Sequence, residues 1–244
     1  MVKHMTPSRR RFIHVAAGAV ALSTLPLTAW AAADAGKLKI GILGSGRIGG
    51  TLGKIWADAG HEVMFSSLDL EHDRKLAASV GANARAGTPR EAAAFGDVIL
   101  VAVPYRALPQ LGKDLADVIK GKVMIDASNP FTQRDGEIGT WAREKGAGLA
   151  SAELLPGARI VRAFNAVGAA RLPEIKQRNP KVGMPVAADD QKAYAVASRL
   201  IRDVGFEPVL VGGLASMGKH LIPGTPLAGE RTPDEIRKIA PTLN

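Results

Sequence analysis

Lys37-Leu38-Lys39-Ile40-Gly41-Ile42-Leu43-Gly44-Ser45-Gly46-Arg47-Ile48-Gly49 runs from an apolar strand straight into Gly-x-Gly-x-x-Gly and on into a helically spaced segment. Such a glycine triplet is a weak signal on its own. Here strand, loop, helix and second strand follow in order, which is the context in which the triplet binds a dinucleotide. Gly44 lets the chain turn off the strand, Gly46 has no side chain to hold off a pyrophosphate, and Gly49 lets the helix approach the sheet. The helix N-terminus adds N–H groups and a partial positive charge for the phosphates. Ser45, Arg47 and Ile48 complete the loop and join the candidate cofactor contacts. A purely structural glycine turn is the alternative, and the order of the surrounding elements counts against it.

Upstream, Ser8-Arg9-Arg10-Arg11-Phe12-Ile13-His14 resembles the twin-arginine export motif. Moderately apolar residues 15–33 follow, interrupted by Gly18, Ser23 and Pro26; Ala29, Ala31 and Ala33 supply a small-residue cleavage site. Residues 1–33 therefore read as an export signal cut after Ala31 or Ala33. The mature protein is then expected in the periplasm or outside the cell, exported already folded. An uncleaved membrane anchor is the alternative. The segment is near the roughly 20-residue span length, but its Pro, Ser and Thr weaken that reading.

The chain has a formal net charge of +9, and four of the positive residues (Lys3, Arg9, Arg10, Arg11) belong to the leader. The rest holds no dense Lys/Arg run interleaved with aromatics, which argues against nucleic-acid binding. Cysteine is absent, so there is no disulfide, thiol redox centre or cysteine metal site. Of the histidines, His4 and His14 lie in the leader, and no His-x-x-x-His pair exists, so a metal site is not expected.

Past the leader, short apolar runs alternate with helical patterns. Strands are predicted at 37–43, 62–65, 82–86, 97–103, 122–127, 159–165, 184–188 and 207–211. Helices are predicted at 48–59, 70–80, 108–119 and 191–204. Thr88-Pro89-Arg90-Glu91 opens another helix with a capping box, and Thr232-Pro233-Asp234-Glu235 starts one near the end. The Gly-rich stretch up to Gly148 reads as a loop plus a short helix. The fold class is α/β, a Rossmann-type doubly wound, mostly parallel sheet with a small C-terminal extension. Residues 34–150 form the dinucleotide-binding part. Residues 151–244 form an α/β extension that completes the sheet and the acceptor pocket.

Ligands in such sheets bind past the strand ends at the switch in strand order. The residues to watch are Gly44–Gly49, Ser66–Asp69, Val103–Arg106, Ser128–Pro130 and Asn165–Gly168. An NAD site usually has a carboxylate at the end of the second strand. Here Ser66 and Ser67 stand there, with Arg47, His72, Arg74 and Lys75 as candidate neighbours for a 2′-phosphate, or as a solvated helix face. This favours NADP, with NAD as the alternative and Asp69 the opposing evidence. Val103 and Pro104 follow the central strand. Asn129 and Pro130 sit where a nicotinamide would lie, and Asn165 is a candidate for its carboxamide or for the acceptor. Phe164 reads as core. Tyr105 is balanced between pocket and structure. His220 is a weak catalytic candidate, as a proton donor.

Five motifs together resemble the coenzyme F420-dependent NADP oxidoreductase family. They are Gly44-Ser45-Gly46-Arg47-Ile48-Gly49-Gly50, Ala59-Gly60-His61-Glu62-Val63, Val101-Ala102-Val103-Pro104-Tyr105, Ile125-Asp126-Ala127-Ser128-Asn129-Pro130 and Val161-Arg162-Ala163-Phe164-Asn165. The resemblance extends to about Gly213. It implies NADP and a deazaflavin as second cofactor; related domains occur in ferric reductases and pyrroline-carboxylate reductase-like enzymes. Family members commonly carry Ser-Arg at the end of the second strand, where the arginine meets the 2′-phosphate. This chain has Ser67-Leu68, which leaves that phosphate to Arg47, Ser66 and Ser67. The tail from Ser216 to Pro226 also departs from the family pattern.

Hydride transfer between a nicotinamide and a flavin-like ring asks little of side chains beyond positioning and exclusion of water. The expected function is an NAD(P)-dependent oxidoreductase passing hydride between NADP and a deazaflavin, flavin or related small acceptor. The alternatives are a non-catalytic NADP-binding or sensor module, and a reductase of a small imine or carbonyl. The partner is a small molecule, no stable membrane span remains once the signal is cleaved, and a homodimer is compatible with the chain.

Overall fold

Apolar runs without alternation need cover on both faces of a sheet, and the central strands here have it. The computed structural model describes Met1 and residues 36–243; the export signal read over residues 1–33 lies outside them. Within Lys37–Asn244, eight strands form one sheet: β1 (Lys39–Leu43), β2 (Glu62–Ser66), β3 (Ala84–Ala86), β4 (Val98–Val101), β5 (Val123–Asp126), β6 (Arg159–Arg162), β7 (Gly183–Ala188) and β8 (Glu207–Gly212). Their order is β3-β2-β1-β4-β5-β6-β7-β8. Neighbours run parallel except β6 and β7, which pair antiparallel through Val161 with Ala188 and Arg162 with Ala187.

Period-2 alternation sends Ile40, Ile42, Val98 and Leu100 to one face and Leu43, Ile99, Val101 and Met124 to the other. The first face is covered by α1 (Arg47–Asp58), through Leu52 and Trp56, and by α8 (Gln191–Val204), through Ala197, Leu200 and Ile201. Trp56 Nε1 donates to Leu200 O at 2.9 Å, satisfying the one polar atom of a fully buried indole. The second face carries α3 (Pro89–Phe95), α4 (Leu108–Asp114), α5 (Ala116–Ile119), α6 (Thr132–Lys145) and α7 (Ala147–Leu154). The remaining α-helices among the described residues are α2 (Leu70–Val80) after β2, and α9 (Leu214–Met217) and α10 (Pro233–Ile239) after β8.

Several helix ends follow the capping rules. Thr88 and Glu91 make the predicted capping box, and Thr232 and Glu235 make a second. Asp190 caps α8 by accepting from Lys192 N and Ala193 N, and Gly205 closes it in the left-handed conformation.

Two expectations need correction. The helix expected over 108–119 is broken at Leu115, which leaves helical geometry (φ −112°, ψ 5°). The stretch expected to be loop and short helix holds α6, kinked at Gly136, and α7. Glycine is a poor helix former in isolation, but at Gly148 packing decides: a Cβ there would stand 2.7 Å from Leu214 O and 2.9 Å from Gly218 Cα. Residue 150 lies inside α7, and β5 and β6 pair directly in the one sheet.

Candidate functional site

The strand order reverses beside β1: the chain goes outward to β2 and β3, then crosses back to β4. The crevice past the C-terminal ends of β1 and β4 is therefore the place for a ligand. The glycine loop sits there. Gly44 has φ +97°, and its N–H and that of Ser45 donate to Ser66 O at 2.9 and 3.1 Å, fastening the loop to β2. Gly46 is the N-cap of α1, and no side chain caps that helix. Its first-turn N–H groups are thus left to a ligand or water. A Cβ built on Gly46 meets nothing within 4 Å, so the space above the loop is open where a pyrophosphate would lie. A dinucleotide fits these residues.

Three cavities sharing lining residues follow this edge. The first, about 420 Å³, is bounded by Gly44–Gly46, Ser66–Asp69, Ala102–Pro104 and Arg106. The second, about 200 Å³, shares Ala102–Pro104 and continues to Arg47, Ser128, Asn129 and Arg134. The third, about 680 Å³, shares Arg47, Asn129 and Phe131 and adds Phe164–Ala170 and Pro223. The glycine loop, Ser66, Ser67, Val103, Pro104, Asn129 and Asn165 are thereby brought to one edge. Ile48 lines the second and third cavities as well.

Asn129 and Asn165 are held from below by a buried polar network. Arg162 and Asp126 are both inaccessible and pair at 2.6 Å. Arg162 also donates to Ser128 O (2.9 Å), Asn129 Oδ1 (3.2 Å) and Leu221 O (3.1 Å). Asp126 accepts from Ser128 N and Ser151 Oγ. Asn129 Nδ2 donates to Asn165 O at 3.0 Å, and Asn165 Nδ2 to Ser128 O at 3.2 Å. Asn165 Oδ1 is left buried without a partner. Phe164 turns the chain here with φ +65°, wedged edge-on between Trp56 and Phe206 at 6.1 and 6.2 Å. A positive φ on a phenylalanine is strained; the aromatic packing holds it, and the turn delivers Asn165 to the cavity.

Other candidates fall elsewhere. Tyr105 is buried, with its hydroxyl on Ala147 O and Ser151, and does not line these cavities; burial, then the nearby Asp126, push its hydroxyl far above the ordinary tyrosine range. His220 is also absent from their linings, and burial, then Lys219, lower its pKa. Arg74 and Lys75 are surface groups beside Glu71, each 3.9 Å from it, and with His72 they do not line the first cavity. Ser66 is fully buried and donates to Ile42 O at 2.6 Å, so its hydroxyl serves β1.

Sequence reasoning missed two residues: Asp73, and Arg162 as a buried partner of Asp126. An arginine directly after the apolar Ile160-Val161 pair, on a strand following one that ends in aspartate, was the available signal for Arg162. Asp73 gave none, because on the helix pattern it reads as a solvated position. Among the described residues no helix is long and apolar enough to cross a membrane, and no cluster of His, Asp and Glu could hold a metal.

The family described as NADP oxidoreductase coenzyme F420-dependent matches residues 39–130. The F420-dependent NADP reductase of Methanothermobacter thermautotrophicus is 31% identical over 193 residues, covering 72% of this chain and 82% of the relative. The metalloreductase STEAP3 of Rattus norvegicus is 31% identical over 181 residues, covering 73% of this chain; the chain spans only 34% of that protein's length. A solved structure of a hypothetical protein from Sinorhizobium meliloti superposes with a TM-score of 0.68 at 25% identity, covering 81% of this chain and 96% of that one.

Proposed function

Because the chain belongs to the coenzyme F420-dependent NADP oxidoreductase family, we propose that it moves hydride between NADP along the glycine-loop edge and a small flat acceptor, a deazaflavin or flavin, beside Asn129 and Asn165. The observation that carries this reading is the row of three cavities with shared lining residues at the β1–β4 switch, open above Gly46 and largest beyond Asn129. When bound, the nicotinamide supplies a hydride, and the acceptor takes it together with one proton from water. The chain's own residues bind, orient and exclude solvent. The first-turn N–H groups of α1 and the cation of Arg47 would hold the pyrophosphate. The orphaned Oδ1 of Asn165 would accept an N–H from the nicotinamide carboxamide. Arg162, through Asn129 and Ser128, keeps the two asparagines in register. No side chain is required as acid or base, which matches a cleft lined without Tyr105 or His220.

The test is purification of the mature chain, identification of any co-purified nucleotide, and NADPH oxidation with deazaflavin, flavin, ferric and cyclic-imine acceptors in parallel. Oxidation by the deazaflavin or flavin is expected. Turnover with the imine alone, or with none, overturns the acceptor assignment.

The twin-arginine stretch and the small-residue cleavage site support export of the folded, cofactor-loaded protein to the periplasm. Arg9→Lys combined with Arg10→Lys should strand it in the cytoplasm in a fractionation assay. Normal export of that variant refutes the route, and an intact N-terminus on the exported protein points to an anchor instead.

A further inference from the structure

The end of β2 is where the fingerprint places the adenosine ribose. Beneath it lies Asp73, fully buried in α2. Its carboxylate accepts from Ser45 Oγ of the glycine loop, and from Ser67 Oγ at 2.9 and 3.0 Å. A carboxylate offers only lone pairs, and each serine hydroxyl has a single proton. Asp73 therefore turns both protons away from the cavity. The other acceptor near Ser67 Oγ, the Asp69 carbonyl at 3.2 Å, is also protein. One lone pair of Ser67 takes the Asp69 N–H at 3.1 Å, and the second is left for a ligand.

A ribose 2′-hydroxyl can donate to that lone pair. A 2′-phosphate carries acceptors and negative charge, and needs donors or cations. Few are offered here. Ser66 spends its proton on Ile42 O. Leu68, fully exposed on the cavity rim, has no charge. Asp69, the cap of α2, lines the same cavity as a second carboxylate. The lining cation, Arg106, is tied through Nη1 to Arg134 O at 2.7 Å.

We propose that Asp73 is a positioning residue that sets ribose specificity: by holding the protons of Ser45 and Ser67 it weakens 2′-phosphate binding, so that NAD binds about as well as NADP. This rests on the reading of the edge as a dinucleotide site. It replaces the modest NADP preference that Ser66 and Ser67 suggest as bare sequence.

The test is calorimetric titration of the full mature protein with NADPH and with NADH. Asp73→Asn keeps the shape but gives Ser67 Oγ an amide donor, which releases the serine proton to the cavity. NADPH binding should tighten about tenfold, the value of one charge-assisted hydrogen bond, with NADH within about twofold. Ser67→Ala removes the ribose acceptor, and should weaken NADH several-fold while leaving NADPH nearly unchanged. This second variant serves if Asp73→Asn does not fold. An NADPH-to-NADH ratio that stays constant in either folded variant overturns the assignment of Asp73 while the dinucleotide site stands. Failure of the wild type to bind either nucleotide overturns both.

Discussion

Replacing Gly46 and Gly49 separately should divide ligand contact from packing. At Gly49 a Cβ would stand 2.0 Å from Gly44 O and 2.9 Å from Ile42 Cγ2. Gly44 O belongs to a loop whose neighbouring amides bond Ser66 O, and Ile42 lies in the sheet centre, so neither can retreat freely. Overpacking a tight site costs about 1–3 kcal/mol, and loosening the two loop hydrogen bonds adds about 1 kcal/mol each. Gly49→Ala should thus lose roughly 3–5 kcal/mol, a large part of the stability of an ordinary domain. At about 2–4 °C per kcal/mol for a chain of this size, the melting midpoint should fall by roughly 10 °C. At Gly46 the backbone has φ −66°, and a Cβ enters open space. Gly46→Val should cost only about 1 kcal/mol, for a poorer N-cap, yet its methyls fill the place of the pyrophosphate. Dinucleotide affinity should fall at least about 100-fold. Melting curves and calorimetric titration with NADPH read the two effects independently. Undiminished binding by Gly46→Val would place the pyrophosphate elsewhere, and a Gly49→Ala protein as stable as wild type would contradict the close approach of α1 to β1.

Arg162→Met leaves Asp126 as an unpaired buried charge and should destabilise the fold by about 3–5 kcal/mol, measured by urea unfolding; Arg162→Lys should recover part of that. Leu68→Arg adds the missing cation at the cavity rim and should tighten NADPH by about tenfold without changing NADH in the same titration. At Asp135, burial alone would raise the carboxyl, but hydrogen bonds from Arg134 and from the Phe131 and Arg106 amides outweigh it and hold the pKa below 3.8. A lowered folded-state pKa stabilises above the unfolded value and is lost as pH falls through the folded one. Asp135→Asn should therefore flatten the decline of melting temperature below about pH 4, and an unchanged acid profile would refute that role.

Much of this molecule is legible in its sequence, because the signals are local. Short, mainly apolar runs mark the strands, and Thr88-Pro89-Arg90-Glu91 announces its own capping box. The Gly44–Gly49 spacing locates the turn off β1 and the start of α1, since a turn and a helix N-terminus are properties of adjacent residues. The family resemblance adds the class of reaction. What the sequence could not decide depends on residues far apart in the chain. Whether Gly148 packs in a helix or lies in a loop is settled by Leu214 and Gly218 closing over it. Arg162 and Asp126 become a pair only when β5 and β6 lie side by side. The direction of the Ser67 proton follows from Asp73, whose burial reflects how α2 lies against the glycine loop. Helical and strand patterning are set by interactions within a few residues, whereas the orientation of a hydroxyl or the cost of a buried charge is fixed by whichever acceptors and donors the tertiary fold brings within 3 Å.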